Sequence, residues 1–184
     1  MKKLIIASSI LLLISLVVFG QGKKPAEVKD TKGINWITFE EAEQKMKEQP
    51  KKVLIDVYTD WCGWCKVLDK KTYSNPQLIE YVNKNFYAIK FNAEQKEPVQ
   101  FLGKKWEFVA AQKSNALAVN LMGGRMSYPT TVFMEEGFKE AQPIPGFMEV
   151  YQMEGIMKFI GDNFNKKMNW NDFQHQFKPE WKPQ

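Results

Sequence analysis

Residues 53–71 read VLIDVYTDWCGWCKVLDKK, and this stretch decides the fold class. Its first six residues are apolar on both alternating sets of side chains except at Asp56, a pattern typical of a strand covered on both faces of a sheet. From Cys62 the pattern becomes helical through Lys71. A strand that leads into a helix predicts an α/β unit with Cys62 at the junction.

The sequence on either side predicts the remaining elements of the sheet. Thr38, with Glu41 three residues later, forms a capping-box pattern that begins a helix over 39–48. Asn75-Pro76 predicts the cap and first turn of a helix over 77–85. Further predicted elements are strands over 86–92, 130–134 and 140–144, a hairpin of 99–102 and 106–109 around 103–105, and helices around 114–122 and 148–164. This order predicts an α/β sandwich, a central mixed β-sheet flanked by helices on both faces.

The chain of 184 residues is long enough for one packed domain and too short for two ordinary ones. Met1-Lys2-Lys3 precedes an almost unbroken apolar run to Phe19, which predicts a secretory signal peptide over residues 1–20. The alternative is an uncleaved N-terminal anchor, although the run is short of the ~20 residues that a spanning helix needs. The predicted parts are a signal peptide (1–20), a flexible linker (21–33), a folded domain (34–165) with an insertion around 97–121, and a C-terminal extension (166–184).

The distribution of charge argues against nucleic-acid binding. The formal net charge is +5, but the lysines alternate with glutamates and form no basic stripe. The single histidine, His175, lies far along in a polar tail. Because a structural zinc site normally needs four ligands, we expect no metal site. We also expect a monomer.

The two cysteines, Cys62 and Cys65, are separated by two residues. A disulfide between them closes a very small loop and removes little entropy from the unfolded chain, so a chemical role is favoured over a structural one. At a helix N-terminus, the helix dipole and the free amide groups should lower the pKa of Cys62 below the ~8.5 of a free cysteine. Cys62 is therefore the predicted nucleophile. Cys65, one turn further and more buried, is the predicted resolving thiol.

Asp56 is an unusual residue for a buried strand. A carboxylate among apolar side chains costs several kcal/mol unless it is paired or neutralised, so its pKa should be raised. A carboxyl group with a raised pKa can accept a proton from Cys65. The alternative is a purely structural role for Asp56, as half of an ion pair.

Residues 56–66, DVYTDWCGWCK, resemble the active-site segment of the thioredoxin superfamily, with Gly63-Trp64 in place of the typical Gly-Pro. The resemblance covers roughly residues 34–164 and implies a thioredoxin-like fold. It implies that Asp56 is the buried acid of that family, that Lys90 lies near it and tunes its pKa, and that Tyr128-Pro129 is a cis-proline segment.

The segments WCGWCK and YPTTVF look like those of exported thioredoxin-related proteins, similar to the C-terminal domain of the bacterial thiol-disulfide interchange reductase. This resemblance implies an extracytoplasmic oxidoreductase that acts on protein thiols and disulfides, receives electrons from a membrane-bound thiol donor and needs no separate cofactor. It also implies secretion across the inner membrane into the periplasm, or tethering there if the signal is not cleaved. No histidine lies between the cysteines, which favours reduction or isomerisation over oxidation.

The residues around Cys62 are predicted to contact substrate. Trp61 and Trp64 offer large aromatic surfaces on either side of Cys62, with Gly63 between, although Trp61 is equally compatible with a place in the core. A cis peptide bond before Pro129 would leave the backbone of Tyr128 free to pair with a substrate strand.

Two other functions are compatible with parts of the sequence. Cys62 and Cys65, with some of the nine methionines, could hold a soft ion such as Cu(I). A thioredoxin fold can also serve as a redox-inactive binding module. The combination of Cys62, Cys65 and Asp56 favours thiol-disulfide exchange over both.

Overall fold

The computed structural model of the protein describes residues 33–183. The predicted signal peptide (1–20) and the predicted linker up to residue 32 lie outside the described residues, and both stay predictions. Within residues 33–183, no helix combines the length and the apolar character that crossing a membrane requires.

The helices and strands follow one another in an alternating order. They are β1 (Trp36–Ile37), α1 (Phe39–Glu48), β2 (Lys52–Tyr58), α2 (Gly63–Lys71), α3 (Pro76–Asn85), β3 (Phe86–Asn92), β4 (Val99–Phe101), β5 (Lys104–Trp106), β6 (Phe108–Val109), β7 (Ser114–Asn115), α4 (Ala116–Leu121), β8 (Thr130–Glu135), β9 (Lys139–Pro145), α5 (Val150–Gly161) and α6 (Trp170–Gln176). Short 3₁₀ helices lie at Ala110–Gln112 and Phe164–Lys166.

Five strands form the central sheet, in the order β1-β3-β2-β8-β9. The first three run parallel, and β8 and β9 run antiparallel to their neighbours. Because side chains alternate along a strand, β2 contributes to both faces. Ile55 packs with α1 and α4, whereas Leu54 packs with α2, α3 and α5. The predicted fold class, a mixed sheet with helices on both faces, is confirmed.

Local signals predict most of the element boundaries correctly. Helix α1 begins after Thr38, whose hydroxyl accepts the N–H of Glu41 while the Glu41 carboxylate accepts the N–H of Thr38. Helix α3 begins after Asn75, whose side chain accepts two backbone N–H groups. Both helix starts are therefore stabilised by the capping residues that the sequence indicates.

Three predicted elements differ from the structure. The strand predicted over 106–109 is divided between β5 and β6, and β6 pairs with β7, so the helix predicted around 114–122 begins at Ala116. The first hairpin turns at Leu102-Gly103 instead of 103–105, and both turn residues have positive φ, 52° and 71°. A two-residue turn of this kind matches the twist of the paired strands, so Lys104 and Lys105 become strand residues. The long helix predicted over 148–164 is shorter, because it ends at Gly161, two residues before the left-handed Asn163.

The chain after residue 165, predicted as a C-terminal extension, packs against the domain. Trp181 is only 8% exposed and its ring lies 5.5 Å from that of Tyr81, in α3. The carboxylate of Glu154, fully buried in α5, accepts the N–H of Trp181 at 2.8 Å. Residues 177–183, which we call the C-terminal strap, therefore contribute to the core that lies over α3 and α5.

A buried ion pair joins the start of β2 to the end of β8. Lys52 Nζ lies 2.6 Å from the Glu135 carboxylate, which also accepts a hydrogen bond from Asn165 and contacts Lys166. Burial raises the pKa of Glu135, but the hydrogen bonds from Lys52, Asn165 and Lys166 outweigh it and lower the pKa to about 2. The folded protein therefore favours the ionised carboxylate.

This pair predicts a specific loss of stability in acid. The pKa of Glu135 is lower in the folded protein than the ordinary value of 4.5, so its stabilisation is complete above pH 4.5 and disappears as the pH falls towards about 2. We expect Glu135→Gln to lower the free energy of unfolding at pH 7, and the difference from wild type to shrink between pH 4.5 and 2. Urea unfolding of both proteins at several pH values measures this difference in the free energy of unfolding. A difference that does not change with pH would contradict this assignment.

Candidate active site

Cys62 and Cys65 lie where β2 leads into α2, and they form a disulfide with a Cα–Cα distance of 5.3 Å. The N–H of Cys62 donates to the carbonyl of Thr59, which turns the chain from strand into helix. Cys62 is the N-cap residue of α2, and its Sγ accepts the N–H of Cys65 at 3.0 Å. The sulfur of Cys62 therefore lies at the helix N-terminus, where partial positive charge favours a thiolate.

Burial does not distinguish the two cysteines in this disulfide form. Each is 3% exposed, so the expectation that Cys65 is the more buried of the two is not met. Two bonded sulfur atoms cover part of each other's surface, which reduces the exposure of both. The difference between the two residues lies in position, since Cys62 caps the helix and Cys65 lies within its first turn.

Exposed aromatic rings flank the disulfide. Trp61 is 66% exposed and Trp64 is 62% exposed, so Trp61 is not a core residue. The Trp61 ring lies 5.8 Å from that of Tyr128, and its indole N–H donates to the carboxylate of Glu94 at 3.0 Å. The Trp64 ring lies 5.5 Å from that of Phe147. Each of the two tryptophans therefore forms an aromatic pair with a residue from a distant part of the chain.

The segment before β8 lies beside the first of these pairs. The Tyr128-Pro129 peptide bond is cis, as the resemblance implies. The carbonyl of Pro129 accepts the N–H of Gly146 at 2.7 Å, which joins this segment to the end of β9. Gly63, the first residue of α2, is exposed, as is its neighbour Trp64.

Asp56 is buried beneath α2, on the sheet face that carries Leu54. Asp56 is 1% exposed. Lys90 Nζ lies 2.9 Å from Asp56 Oδ2, and the two groups form an ion pair without hydrogen-bond geometry. Burial raises the pKa of Asp56, and Lys90 offsets part of that effect, so the pKa is about 6. The structure thus brings Asp56 and Lys90 together as the resemblance implies.

Lys90 contacts more than Asp56. Its ammonium group also pairs with Asp69, on α2, and lies 5.2 to 5.7 Å from the ring centres of Trp36, Tyr58 and Tyr73. Burial lowers the pKa of Lys90, but the two carboxylates outweigh it and the pKa is raised. Lys90 therefore stays charged at neutral pH and connects the buried Asp56 to the half-exposed Asp69.

Sequence reasoning missed three residues of this cluster. Asp69 follows Cys65 by four residues, so one helical turn places it on the face that carries the cysteine, and that spacing could have identified it. Tyr73 and Thr131, which form a buried hydrogen bond of 3.1 Å, come from a loop and a distant strand. No local pattern connects these two residues.

The raised pKa of Asp56 predicts that its ionisation destabilises the fold. The folded protein binds this proton more tightly than an ordinary carboxyl with pKa 3.8, so stability falls as the pH rises from 3.8 through about 6. We expect Asp56→Asn to raise the free energy of unfolding at pH 7 by on the order of 2 kcal/mol, since Lys90 keeps its contact with Asp69. Urea unfolding from pH 4 to 8 measures this. In the variant, the free energy of unfolding should no longer fall between pH 4 and 6. A variant less stable than wild type at pH 7 would refute the prediction.

No cluster of three or more His, Cys, Asp or Glu side chains suited to a metal ion occurs in the part of the chain from 33 to 183. The sulfur ligands that soft-metal handling would need are joined in the disulfide of Cys62 and Cys65.

Comparison with known proteins relates the chain to one family. The sequence profile of the Thioredoxin-like domain matches residues 39–161. The chain is 30% identical over 129 residues to the uncharacterized protein B0495.5 of Caenorhabditis elegans, covering 69% of this chain and 16% of that protein. It is 29% identical over 110 residues to the thiol:disulfide interchange protein DsbD of Campylobacter jejuni, covering 60% of this chain and 16% of that protein. The chain therefore spans a small part of these relatives.

Among solved structures, the chain is similar to a thioredoxin-fold protein from Helicobacter pylori, with a TM-score of 0.54 and 20% sequence identity. The superposition covers 68% of this chain and 79% of the other. A likeness at this level of identity supports the fold.

Proposed function

The chain belongs to the thioredoxin-like family, and from that premise we propose that it is a thiol-disulfide oxidoreductase that exchanges electrons with protein disulfides through Cys62 and Cys65. The observation that carries the proposal is the position of this pair. A disulfide that begins at the N-cap of a helix couples a stabilised thiolate to a second thiol within bonding distance.

In the first step of reduction, the Cys62 thiolate attacks one sulfur of a substrate disulfide. A bond forms between Cys62 Sγ and that sulfur, the substrate disulfide breaks, and the other substrate sulfur leaves as a thiolate that takes a proton from solvent. The free N–H groups at the start of α2 stabilise the attacking thiolate.

In the second step, Cys65 resolves the mixed disulfide. Asp56 accepts the Cys65 proton, and the resulting thiolate attacks Cys62 Sγ. The bond from Cys62 to the substrate breaks, and the substrate sulfur leaves as a thiolate that takes a proton from solvent. The substrate has then gained two electrons, and the protein holds the disulfide seen in the structure. Asp56 then loses this proton to solvent and returns to its ion pair with Lys90.

The substrate contacts proposed for this reaction are Trp61, Gly63, Trp64, Tyr128 and Pro129. The exposed rings of Trp61 and Trp64 offer apolar surface beside Cys62. Within residues 33–183, the backbone N–H and C=O of Tyr128 make no hydrogen bond, so they are free to pair with an extended substrate segment.

We further propose that the protein works outside the cytoplasm, as a reductant or isomerase that a membrane-bound thiol donor reduces again. The predicted signal peptide and the similarity to part of an interchange protein support this location and this donor. The residues between the cysteines, Gly63 and Trp64, support reduction or isomerisation over oxidation. Measuring the reduction potential against glutathione tests the direction, since a strongly oxidising value would contradict it.

Trapping of mixed disulfides tests the function. In Cys65→Ala the resolving thiol is absent, so substrate proteins should stay bonded to Cys62 and be released by dithiothreitol for identification by mass spectrometry. The double variant Cys62→Ser/Cys65→Ala is the matched control and should trap nothing. Equal recovery from both variants, or no trapped protein in the cells that express the chain, would refute the proposal.

A further inference from the structure

Trp61 is an exposed side chain that two separate parts of the chain hold in place. Its ring is 66% exposed, yet its indole N–H lies 3.0 Å from each carboxylate oxygen of Glu94, in the loop after β3. The ring also contacts that of Tyr128, with 5.8 Å between ring centres and 85° between ring planes. Most exposed side chains change rotamer freely, because little packs against them. These two contacts instead give Trp61 one defined orientation.

Glu94 is itself held by Asn92, the last residue of β3. The side-chain carbonyl of Asn92 accepts the N–H of Glu94 at 2.9 Å. The side-chain amide of Asn92 donates to the carboxylate of Asp60 at 3.0 Å. Since Asp60 directly precedes Trp61 in the chain, these hydrogen bonds form a closed ring that joins the turn before Cys62 to the loop after β3.

Strand β7, in the predicted insertion, supports the same loop. The carbonyl of Ala93, next to Glu94, accepts the N–H of Asn115 at 2.7 Å and the hydroxyl of Ser114 at 2.9 Å. Ser114 and Asn115 form β7, and both are buried. The N–H of Ala93 donates to the carbonyl of Tyr58, at the end of β2, at 2.8 Å. Buried backbone contacts therefore fix the place from which Glu94 reaches the surface.

We propose that Glu94 is a positioning residue for the substrate: by accepting the indole N–H, it holds the Trp61 ring against Tyr128 in the orientation that a polypeptide substrate contacts. The inference rests on the proposed function, which makes Trp61 and Tyr128 substrate contacts, and it adds Glu94 to them. A side chain that is already fixed loses little further freedom when a substrate binds, so fixing it strengthens binding. Glu94 therefore affects the docking of a polypeptide beside Cys62, and not the reactivity of the sulfur.

A carboxylate can also act through its charge, and a set of variants separates the two effects. Glu94→Ala removes both the charge and the acceptor, whereas Glu94→Gln removes the charge and retains an oxygen that can accept the indole N–H. Trp61→Phe keeps an aromatic ring but deletes the indole N–H. Glu97→Ala is the matched control, because it removes an equal charge from an exposed side chain in the same connection between β3 and β4.

Reduction of insulin with dithiothreitol gives KM and kcat for each variant. We expect Glu94→Ala and Trp61→Phe to raise KM about threefold to tenfold with kcat nearly unchanged, and Glu94→Gln and Glu97→Ala to stay close to wild type. The double variant Trp61→Phe/Glu94→Ala should lose no more than Trp61→Phe alone, because both changes break the same contact. The rate with hydroxyethyl disulfide, which has no polypeptide chain, should be unchanged in Glu94→Ala.

The indole N–H of Trp61 gives a direct readout of the contact in the disulfide form. Its resonance is identified by its absence from Trp61→Phe, and its ¹H–¹⁵N heteronuclear NOE should fall in Glu94→Ala but not in Glu97→Ala. With an active wild-type protein, an unchanged KM or an unchanged NOE in Glu94→Ala would overturn the inference, as would an equal rise of KM in Glu94→Gln. A wild-type protein that reduces no disulfide would instead refute the proposed function, and the NOE would then still decide whether Glu94 fixes the ring.

Discussion

Replacement of Cys62 by serine is expected to reduce catalysed disulfide reduction to the background rate that dithiothreitol gives without protein. A serine hydroxyl is not ionised near neutral pH and cannot form the mixed disulfide through which the exchange passes. The start of α2 stabilises a thiolate at this position, and the described structure offers no free cysteine in its place. The loss should therefore be complete.

Reduction of insulin by dithiothreitol, followed by turbidity, measures this loss. Cys65→Ser is the informative comparison, because it retains Cys62 and should form a mixed disulfide with a substrate peptide once without turning over. Circular dichroism should show that both variants keep the fold, since neither change removes apolar core volume. Residual catalysis by Cys62→Ser above the background rate would mean that the pair is not the reactive centre.

The second prediction is that replacing Glu154 lowers the stability of the fold. This fully buried carboxylate accepts the backbone N–H groups of Glu180 and Trp181 and pairs with Lys158 at 2.9 Å. Glu154→Ala removes the acceptor of these two backbone N–H groups, of which that of Trp181 is buried, and leaves Lys158 with Glu180 as its remaining partner. Leaving a buried donor without its acceptor typically costs about 1–3 kcal/mol, and we expect a loss of that size in the free energy of unfolding.

The matched control removes a carboxylate from the same network at an exposed position. Glu180 pairs with Lys158 at 2.8 Å, but its side chain is largely in solvent, and Glu180→Ala should leave the free energy of unfolding nearly unchanged. Urea denaturation measures both variants. Limited proteolysis provides a second readout, because release of the C-terminal strap should expose residues 177–183 in Glu154→Ala only. Equal stability of Glu154→Ala and wild type would show that the strap does not contribute to the fold.

The strap changes how the end of the chain is interpreted. The polar composition after Asn165 suggests an extension, yet Trp181 packs against Tyr81, and the side-chain amide of Asn75 donates to the carbonyl of Lys182 at 2.8 Å. Asn75 is also the N-cap of α3. The final residues thus contact the N-terminus of α3.

The sequence predicted correctly those features that depend on interactions between residues close together in the chain. The capping residues Thr38 and Asn75 define helix starts because they bond to amides two or three residues away. Asp56 was conspicuous in the sequence because a charge in an apolar strand is costly. The hairpin turn was misplaced because Leu102 is not a typical turn residue, and cross-strand pairing decided its register.

The contacts around Asp56 and Glu154 had to come from the folded structure. Lys90 lies opposite Asp56 through the register of neighbouring strands, and Glu154 finds its donors in a segment with no helical or strand periodicity. The pattern of residues 53–71 determined an α/β unit with a helix-capping cysteine, because periodicity and capping act over a few residues. Tertiary packing decides which donor groups lie beside a buried carboxylate. Burial makes a partner necessary, but it does not specify from which part of the chain that partner comes.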